Sequence, residues 1–171
     1  NRRSFVAAEV FMRGLACVFV VITLLVGAFF GYVYYGTQMQ VVGVAASMVP
    51  AVEVEATYDD IVRKLDNGSF LGEIYAETEF LMPDSYAFLT LTVRMQNRGM
   101  FPMDYIQFSV KPDSADIVQL PADRTPSLAG NSVADFSTTL LTRTGADTSR
   151  EIAITYYVLG RQFTVTYTPG T

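Results

Sequence analysis

The hydrophobic pattern of the chain changes once, from a continuous apolar run to short stretches that alternate with a period of two. The run, LACVFVVITLLVGAFFGYVYY, extends from Leu15 to Tyr35 and contains no charged residue. Because a helix rises about 1.5 Å per residue, a run of this length spans the hydrocarbon core of a bilayer, about 30 Å thick. The pattern predicts a transmembrane helix over 15–35, preceded by a basic segment, 1–14.

Alternating apolar and polar residues after Gly72 predict a series of β-strands. The clearest stretch is 89–96, in which Leu89, Leu91, Val93 and Met95 occupy one face. Further strands are expected at 73–80, 106–110, 117–120, 133–142, 152–159 and 162–168. Gly160-Arg161 joins the last two and predicts a type II′ hairpin with glycine first. Strands spaced in this way are typical of an antiparallel β-sandwich.

The region between the apolar run and Gly72 predicts a connector, a strand and one short helix. Residues 36–51 carry no charge and are expected to form a connector, so that the sandwich domain covers 52–171. A first strand is expected near 49–56, where valines alternate with glutamates. A helix of about ten residues should begin at Thr57 as N-cap and end at Asn67-Gly68.

Charge around the apolar run predicts its orientation. Three arginines lie in 1–14 and none follows the run immediately, which places the N-terminus in the cytoplasm and the C-terminal domain outside the cytoplasm. A cleaved signal peptide is the competing interpretation. The run is longer than a usual signal core, and the nearest small-residue site, Val44-Ala45-Ala46, lies well beyond it, so we expect the helix to be retained.

Composition narrows the function classes. The chain has 17 acidic and 12 basic residues, and all but one acid and three arginines follow the start of the run, so the outer part is acidic. An acidic domain is a poor candidate for nucleic-acid binding, because it would be repelled by the phosphate backbone. Histidine is absent and the single cysteine, Cys17, lies in the run, which excludes histidine catalysis and a cysteine zinc site in the outer domain. Carboxylate pairs remain as possible catalytic groups; we expect no enzyme and no cofactor.

Gly27 and Gly31 are candidates for a helix interface. Their G-x-x-x-G spacing places both on one helix face and lets two transmembrane backbones approach closely. The partner would be a second copy of the helix or another protein's span.

Glu73, Glu77 and Glu79 are candidates for an acidic face, together with Tyr75, on one side of the predicted 73–80 strand. Such a face could bind Ca²⁺ or a basic partner. The alternative is a solvated outer face that protects an edge strand from aggregation.

Met100, Phe101 and Met103 are candidates for a docking tip, because Met100-Phe101-Pro102-Met103 places apolar side chains in a turn. Methionine surfaces adapt to partners, so the tip could contact another protein or the bilayer. The alternative is that these side chains cap the sandwich core.

The segment 91–110 resembles the late-embryogenesis-abundant, water-stress type of domain. In both, an alternating strand ends in Asn, here Asn97, and a turn with an aromatic-Pro step, here Phe101-Pro102, leads to another alternating strand. The loop Leu128-Ala129-Gly130-Asn131-Ser132 is similar to the loop that precedes the last long strands of such domains. The resemblance implies an immunoglobulin-like β-sandwich and a non-catalytic role.

The sequence therefore predicts a mainly β protein: an N-terminal transmembrane helix followed by an antiparallel immunoglobulin-like β-sandwich with one short helix. We expect a single-pass structural or assembly subunit of a membrane or cell-envelope complex. Its partners would be membrane lipid and other membrane or envelope proteins, or a second copy bound through the helix. The alternatives are a pilin-like filament subunit, since Glu9 precedes the apolar run, and an extracytoplasmic sensor that binds an ion or ligand.

Overall fold

The chain divides into two units, Asn1–Gln38 and Met39–Thr171. The computed structural model describes residues 2–35, 39–76, 82–121 and 126–169, and the description of 2–10 and 34 is limited to the backbone.

The first unit is one long helix, α1, from Arg2 to Tyr35. Its segment Phe11–Val33 is 23 residues long and includes a stretch with a mean hydropathy of 2.5, and the large apolar side chains from Phe11 to Phe30 are exposed. This segment is long and apolar enough to cross a membrane, although a signal sequence near an N-terminus has the same length and composition. The helix expected over 15–35 is therefore confirmed as a helix.

The second unit consists of two antiparallel sheets, which confirms the prediction of a mainly β sandwich. Its strands are β1 Met39–Pro50, β2 Glu73–Ile74, β3 Tyr86–Asn97, β4 Asp104–Val110, β5 Asp116–Gln119, β6 Ser132–Arg143, β7 Ile152–Val158 and β8 Arg161–Tyr167. The larger sheet has the order β1-β3-β6-β5-β2 and the smaller has the order β4-β7-β8. Met39 pairs with Asn97 and Pro50 pairs with Ala87. We call the two ends of the sandwich the Met39 end and the Pro50 end.

The main core lies between the two sheets and is built by strand alternation. The four apolar residues expected to share a face of β3, from Leu89 to Met95, are each no more than 1% exposed. Ile106 of β4 and Ile154 of β7 face them from the smaller sheet in the same buried cluster. A period of two places every second side chain in this layer, so the inward face of β3 is confirmed.

A second core lies on the opposite face of the larger sheet. There α2, Glu55–Asp66, buries Tyr58 and Ile61 against Tyr86 and Phe88. The rings of Tyr58 and Tyr86 stack with centroids 5.5 Å apart. The short helix and its end at Asn67 are confirmed. Its start is not, because the N-cap is Val54 rather than Thr57 and has no side-chain cap.

The predicted connector was wrong, because residues 39–50 of the stretch 36–51 form β1. The sandwich therefore begins at Met39 and not at residue 52. The strand expected near 49–56 is also wrong, since Ala51–Val54 form a 3-10 turn and α2 follows directly. Alternating valine and glutamate fit a strand, yet this short turn buries Ala51 instead.

The strand expected at 73–80 is described only as the two-residue β2, and residues 77–81 lie outside the described residues. The predicted inward and outward faces are not observed at its start, because Glu73 and Ile74 are both exposed. Tyr75 packs against the main core, whereas Ile74 is 54% exposed. Tyr75 lies beyond the end of this two-residue strand, so it does not share the environment of Glu73.

The final hairpin is confirmed, but its predicted turn type is wrong. Val158 pairs with Arg161, so the two loop residues are Leu159 and Gly160. Both have positive φ, 49° and 78°. Two positive φ values define a type I′ turn, in which glycine stands second rather than first.

Candidate interaction surfaces

Among the described strands, β1 lies at the edge of the larger sheet and pairs only with β3, so its other side is a free edge in the part of the chain that the structure describes. Its 12 residues, MQVVGVAASMVP, include no charged side chain. Val41, Val44 and Met48 pack on the main core, while Val42 is 54% exposed where the pairing with β3 shifts register. A long edge without charge presents unpaired backbone groups that can receive a further strand.

The helix α1 presents both of its candidate glycines to open space. Apart from the adjacent residues and the helix's own backbone, no described atom lies within 4 Å of the position that a Cβ would take at Gly27 or Gly31. The helix face that carries them is accessible to another helix backbone, as the G-x-x-x-G spacing requires. The helix-interface prediction stays a prediction.

Asn97 organises the turn that follows β3. Its Nδ2 donates to the carbonyl oxygens of Phe101 at 2.8 Å and Ala129 at 3.0 Å, and its Oδ1 accepts from the Gly99 amide at 2.9 Å. The side chain is 1% exposed. One buried amide therefore joins the 98–103 turn to the 127–131 loop, the two segments on which the family resemblance rests.

The three residues of the predicted docking tip have different environments. Met103 is completely buried in the main core, so the docking prediction is wrong for this residue. Its amide and carbonyl pair with Leu128, which fixes it there. Phe101 is half-buried against the same core, whereas Met100 is 62% exposed. The tip thus combines a core cap with one outward side chain.

Charge is segregated between the two ends of the sandwich. Among the described carboxylates of this unit, only Asp104 and Asp135 lie in the half that contains Met39, where Arg94, Arg98 and Arg161 also lie. The other described acids follow β1, lie on α2, or lie in β2, β5 and the turns of the Pro50 half. The sandwich is therefore strongly acidic at the Pro50 end and slightly basic at the Met39 end.

Gln119 of β5 connects the larger sheet to β4, the edge strand of the smaller sheet, through its side-chain amide. Its Nε2 donates to the Phe108 carbonyl and to Thr138 Oγ1, both at 2.9 Å. Its Oε1 accepts from the Tyr75 hydroxyl at 2.6 Å and from the Val110 amide at 3.4 Å. Burial, followed by the charges of Glu73 and Asp116, raises the pKa of Tyr75, which stays a proton donor. The amide thus satisfies the free edge of β4.

Asp116 and Arg150 form a buried ion pair at the Pro50 end. Arg150 Nε and Nη2 donate to the two carboxylate oxygens of Asp116 at 2.8 and 2.9 Å. Burial alone would raise the pKa of Asp116, but hydrogen bonds from Arg150, the Asp113 amide and Thr142 outweigh it and lower that pKa. The same bonds hold the carboxylate in its ionised form, so Asp116 is a structural anion rather than a proton carrier.

Sequence reasoning missed both polar clusters. Asp116 and Gln119 bracket the apolar residues of β5, and a polar residue at a buried strand position was the available signal. Arg150 is 34 positions from Asp116 and carries no local mark of its partner.

The acidic-face prediction stays a prediction. Glu73 is exposed on β2, while Glu77 and Glu79 lie outside the described residues. Across the described ranges, no group of three or more His, Cys, Asp or Glu side chains could hold a metal ion.

An open cleft of about 860 Å³ lies where β4 faces the ends of β5 and the middle of β6. Its lining includes the side chains of Gln119, Thr138 and Thr155, and Glu73 is the charged residue among those described there. A cleft of this kind has hydrogen-bonding groups but no concentrated charge. We assign no ligand to it.

Comparison with known protein families and with curated protein sequences finds no match to this chain. The resemblance to the water-stress type of domain therefore stays a prediction.

Proposed function

We propose that the protein is a non-catalytic, single-pass membrane protein that serves as an assembly subunit of a membrane or cell-envelope complex. In this proposal α1 spans the bilayer with its N-terminus in the cytoplasm, and the sandwich lies outside the cytoplasm. The observation that carries the proposal is the free edge of β1, twelve residues without charge.

The edge supports assembly because soluble sheets usually protect an edge of this length. Lysine, proline and short strands are the common protections. Within β1 the proline stands at the last position, Pro50, and lysine is absent. Addition of a partner strand would pair the backbone groups of this edge, and the exposed Val42 and Val49 would add apolar contact.

A test compares two valines on strands of the same sheet. Val42 on β1 and Val133 on β6 are 54% and 53% exposed, but only Val42 lies on the free edge. The full chain is extracted in mild detergent and its mass is measured under native conditions. We expect a complex of defined composition that Val42→Lys weakens and Val133→Lys leaves intact.

The outcomes separate the alternatives. A monomer in the wild type would contradict the assembly proposal, and a homopolymer would favour the filament alternative. A complex that both lysine variants leave intact would remove β1 as the binding edge. Gly27→Ile with Gly31→Ile, compared with Gly14→Ile, then measures the contribution of the helix face, since all three glycines face open space.

A further inference from the structure

Several exposed, large apolar side chains lie at the Met39 end of the sandwich, because the strand register brings the segments that carry them to this end. The 98–103 turn carries Met100, the start of β4 carries Tyr105, and the β7–β8 turn carries Leu159. Tyr105 is 65% exposed and Leu159 is 56% exposed. The rings of Tyr105 and Tyr157 meet edge to face at 6.1 Å, and Asp104 pairs with Tyr157. The end of the sandwich is therefore a surface of large apolar side chains drawn from three segments.

Two of these side chains are held in a backbone conformation that such residues rarely adopt. Tyr105 has a φ of 52° and Leu159 has a φ of 49°. The left-handed region is unfavourable for residues with a large side chain, and strain of this kind concentrates at functional sites. Tyr105 lies at a register shift between β4 and β7, which turns it outward. The fold thus maintains strain to present apolar groups to the exterior.

Basic side chains accompany this apolar surface. Arg98 and Arg161 are both exposed in the segments that carry Met100 and Leu159. The Arg161 guanidinium lies 5.5 Å from the Phe163 ring centroid, so its stem follows apolar surface while its charge stays outside. Asp104 and Asp135 are the described carboxylates in this half, and Asp135 is bonded to Arg94 at 2.7 Å. Apolar groups with basic neighbours match the boundary between lipid headgroups and acyl chains.

The chain enters the sandwich at this end. Met39 follows Tyr35, the last residue of α1, by four positions in the sequence. If α1 crosses a bilayer, the segments beside Met39 are the first parts of the sandwich outside it. The strongly acidic Pro50 end is the opposite end of the strands, which suits repulsion from anionic lipid.

From these observations we infer that Arg98, Met100, Tyr105, Leu159 and Arg161 form a docking surface for the anionic face of the bilayer. This surface, here called the lipid-facing surface, rests on the proposed membrane anchor. Tyr105, Met100 and Leu159 enter the headgroup region, and the two arginines bind lipid phosphates. Docking fixes the direction in which the free edge of β1 is presented to a partner.

The test uses depth-dependent fluorescence quenching, because the chain contains no tryptophan. Single variants of the full chain, Met100→Trp and Leu159→Trp, are reconstituted in phosphatidylcholine vesicles with phosphatidylglycerol and brominated acyl chains. The matched control is Val52→Trp, which is 56% exposed like Leu159 but lies at the Pro50 end. We expect the bromolipid to quench the first two variants several-fold more than the control.

A fourth variant, Val20→Trp, reports the anchor itself. If Val20→Trp is quenched but Met100→Trp and Leu159→Trp are quenched no more than the control, the docking inference is overturned. The membrane anchor is then still supported. Absence of quenching at Val20→Trp would overturn the anchor and the inference together. A third outcome is that Met100→Trp and Leu159→Trp are not quenched and that a protein bound to the wild type is lost from both variants. This outcome would overturn the inference in favour of a protein partner.

The headgroup charge is tested in the Met100→Trp background. We expect Arg98→Glu with Arg161→Glu to reduce quenching at low ionic strength, whereas Lys111→Glu with Arg143→Glu, at the Pro50 end, should not. Omission of phosphatidylglycerol should also reduce quenching, as Arg98→Glu with Arg161→Glu does. Equal quenching in all of these samples would overturn the recognition of anionic headgroups by the two arginines.

Discussion

Arg150 donates two parallel hydrogen bonds to the carboxylate of Asp116, and the two side chains are 3% and 0% exposed. Arg150 Nη1 also donates to the carbonyls of Asp147 and Ser149, at 2.7 and 2.8 Å. The pair thus joins β5 to the 144–150 turn. A buried carboxylate that loses its partner retains the full cost of its desolvation.

We therefore expect Arg150→Met to reduce the free energy of unfolding by roughly 3–5 kcal/mol. Urea unfolding of the full chain in detergent, followed by circular dichroism, measures the change. Arg94→Met is the matched control, because Arg94 makes the same two-bond contact with Asp135 on an exposed face. A loss of similar size in both variants would show that burial of the Asp116 pair contributes nothing.

The same pair predicts the acid sensitivity of the fold. The folded-state pKa of Asp116 is lowered, so its contribution is fully present above its unfolded pKa, about 4, and is lost as the pH falls through the folded value. Between about pH 5 and about pH 3 the wild type should lose stability more steeply than Asp116→Asn, which should already be less stable at neutral pH. Parallel pH profiles of the two proteins would contradict this assignment.

Loss of the Gln119 amide should destabilise the contact between the sheets. Gln119→Leu removes the Gln119 partner of the Phe108 carbonyl, the Val110 amide and the Thr138 hydroxyl, and we expect a loss of roughly 3 kcal/mol. The Tyr75 hydroxyl keeps its second contact, with the Val110 carbonyl at 3.1 Å. Thermal unfolding measures the loss. Gln162→Leu is the control, since Gln162 is exposed and accepts one bond from Tyr157. If the two variants have the same melting temperature, the hydrogen bonds of Gln119 do not stabilise the contact between the sheets.

Relief of the strained turn should make the protein more stable and less able to bind lipid. Leu159→Asn suits the first position of a type I′ turn, so we expect a gain of about 1 kcal/mol and a melting temperature higher by a few degrees. In the Met100→Trp background the same change should reduce bromolipid quenching. Leu159→Ala removes the side chain without relieving φ, so equal stability of the two variants would refute the strain.

Much of the fold could be predicted because burial on one side gives a strand a readable period. From Leu89 to Met95 of β3 the buried apolar residues alternate with polar, less buried ones, and the prediction for 89–96 was correct. In β1, Val41 and Val42 are both apolar although one packs inward and the other is exposed. This edge strand has no charged residue and only two polar ones, Gln40 and Ser47, so it shows no clear period of two, and it was assigned to a connector.

The candidate surfaces were only partly predictable, because they depend on contacts between distant segments. The apolar turn at Met100 was visible in the sequence, but burial of Met103 follows from its pairing with Leu128. The exposure of Tyr105 and Leu159 depends on backbone conformations that their residue types disfavour. A local sequence pattern indicates the conformations that its residue types favour. It could therefore not have predicted the exposed positions of Tyr105 and Leu159.

The pairing of β1 with β3 also sets an order of events during synthesis. Met39 leaves the ribosome directly after the apolar helix, yet its partner, Asn97, is made much later, after α2 and β2. Until then both edges of an uncharged strand are open, in a chain whose helix has already been delivered to the translocation machinery if it is an anchor. An uncharged strand with two open edges can pair with other chains, so association with the wrong partner is favoured more during this interval than in the finished sandwich.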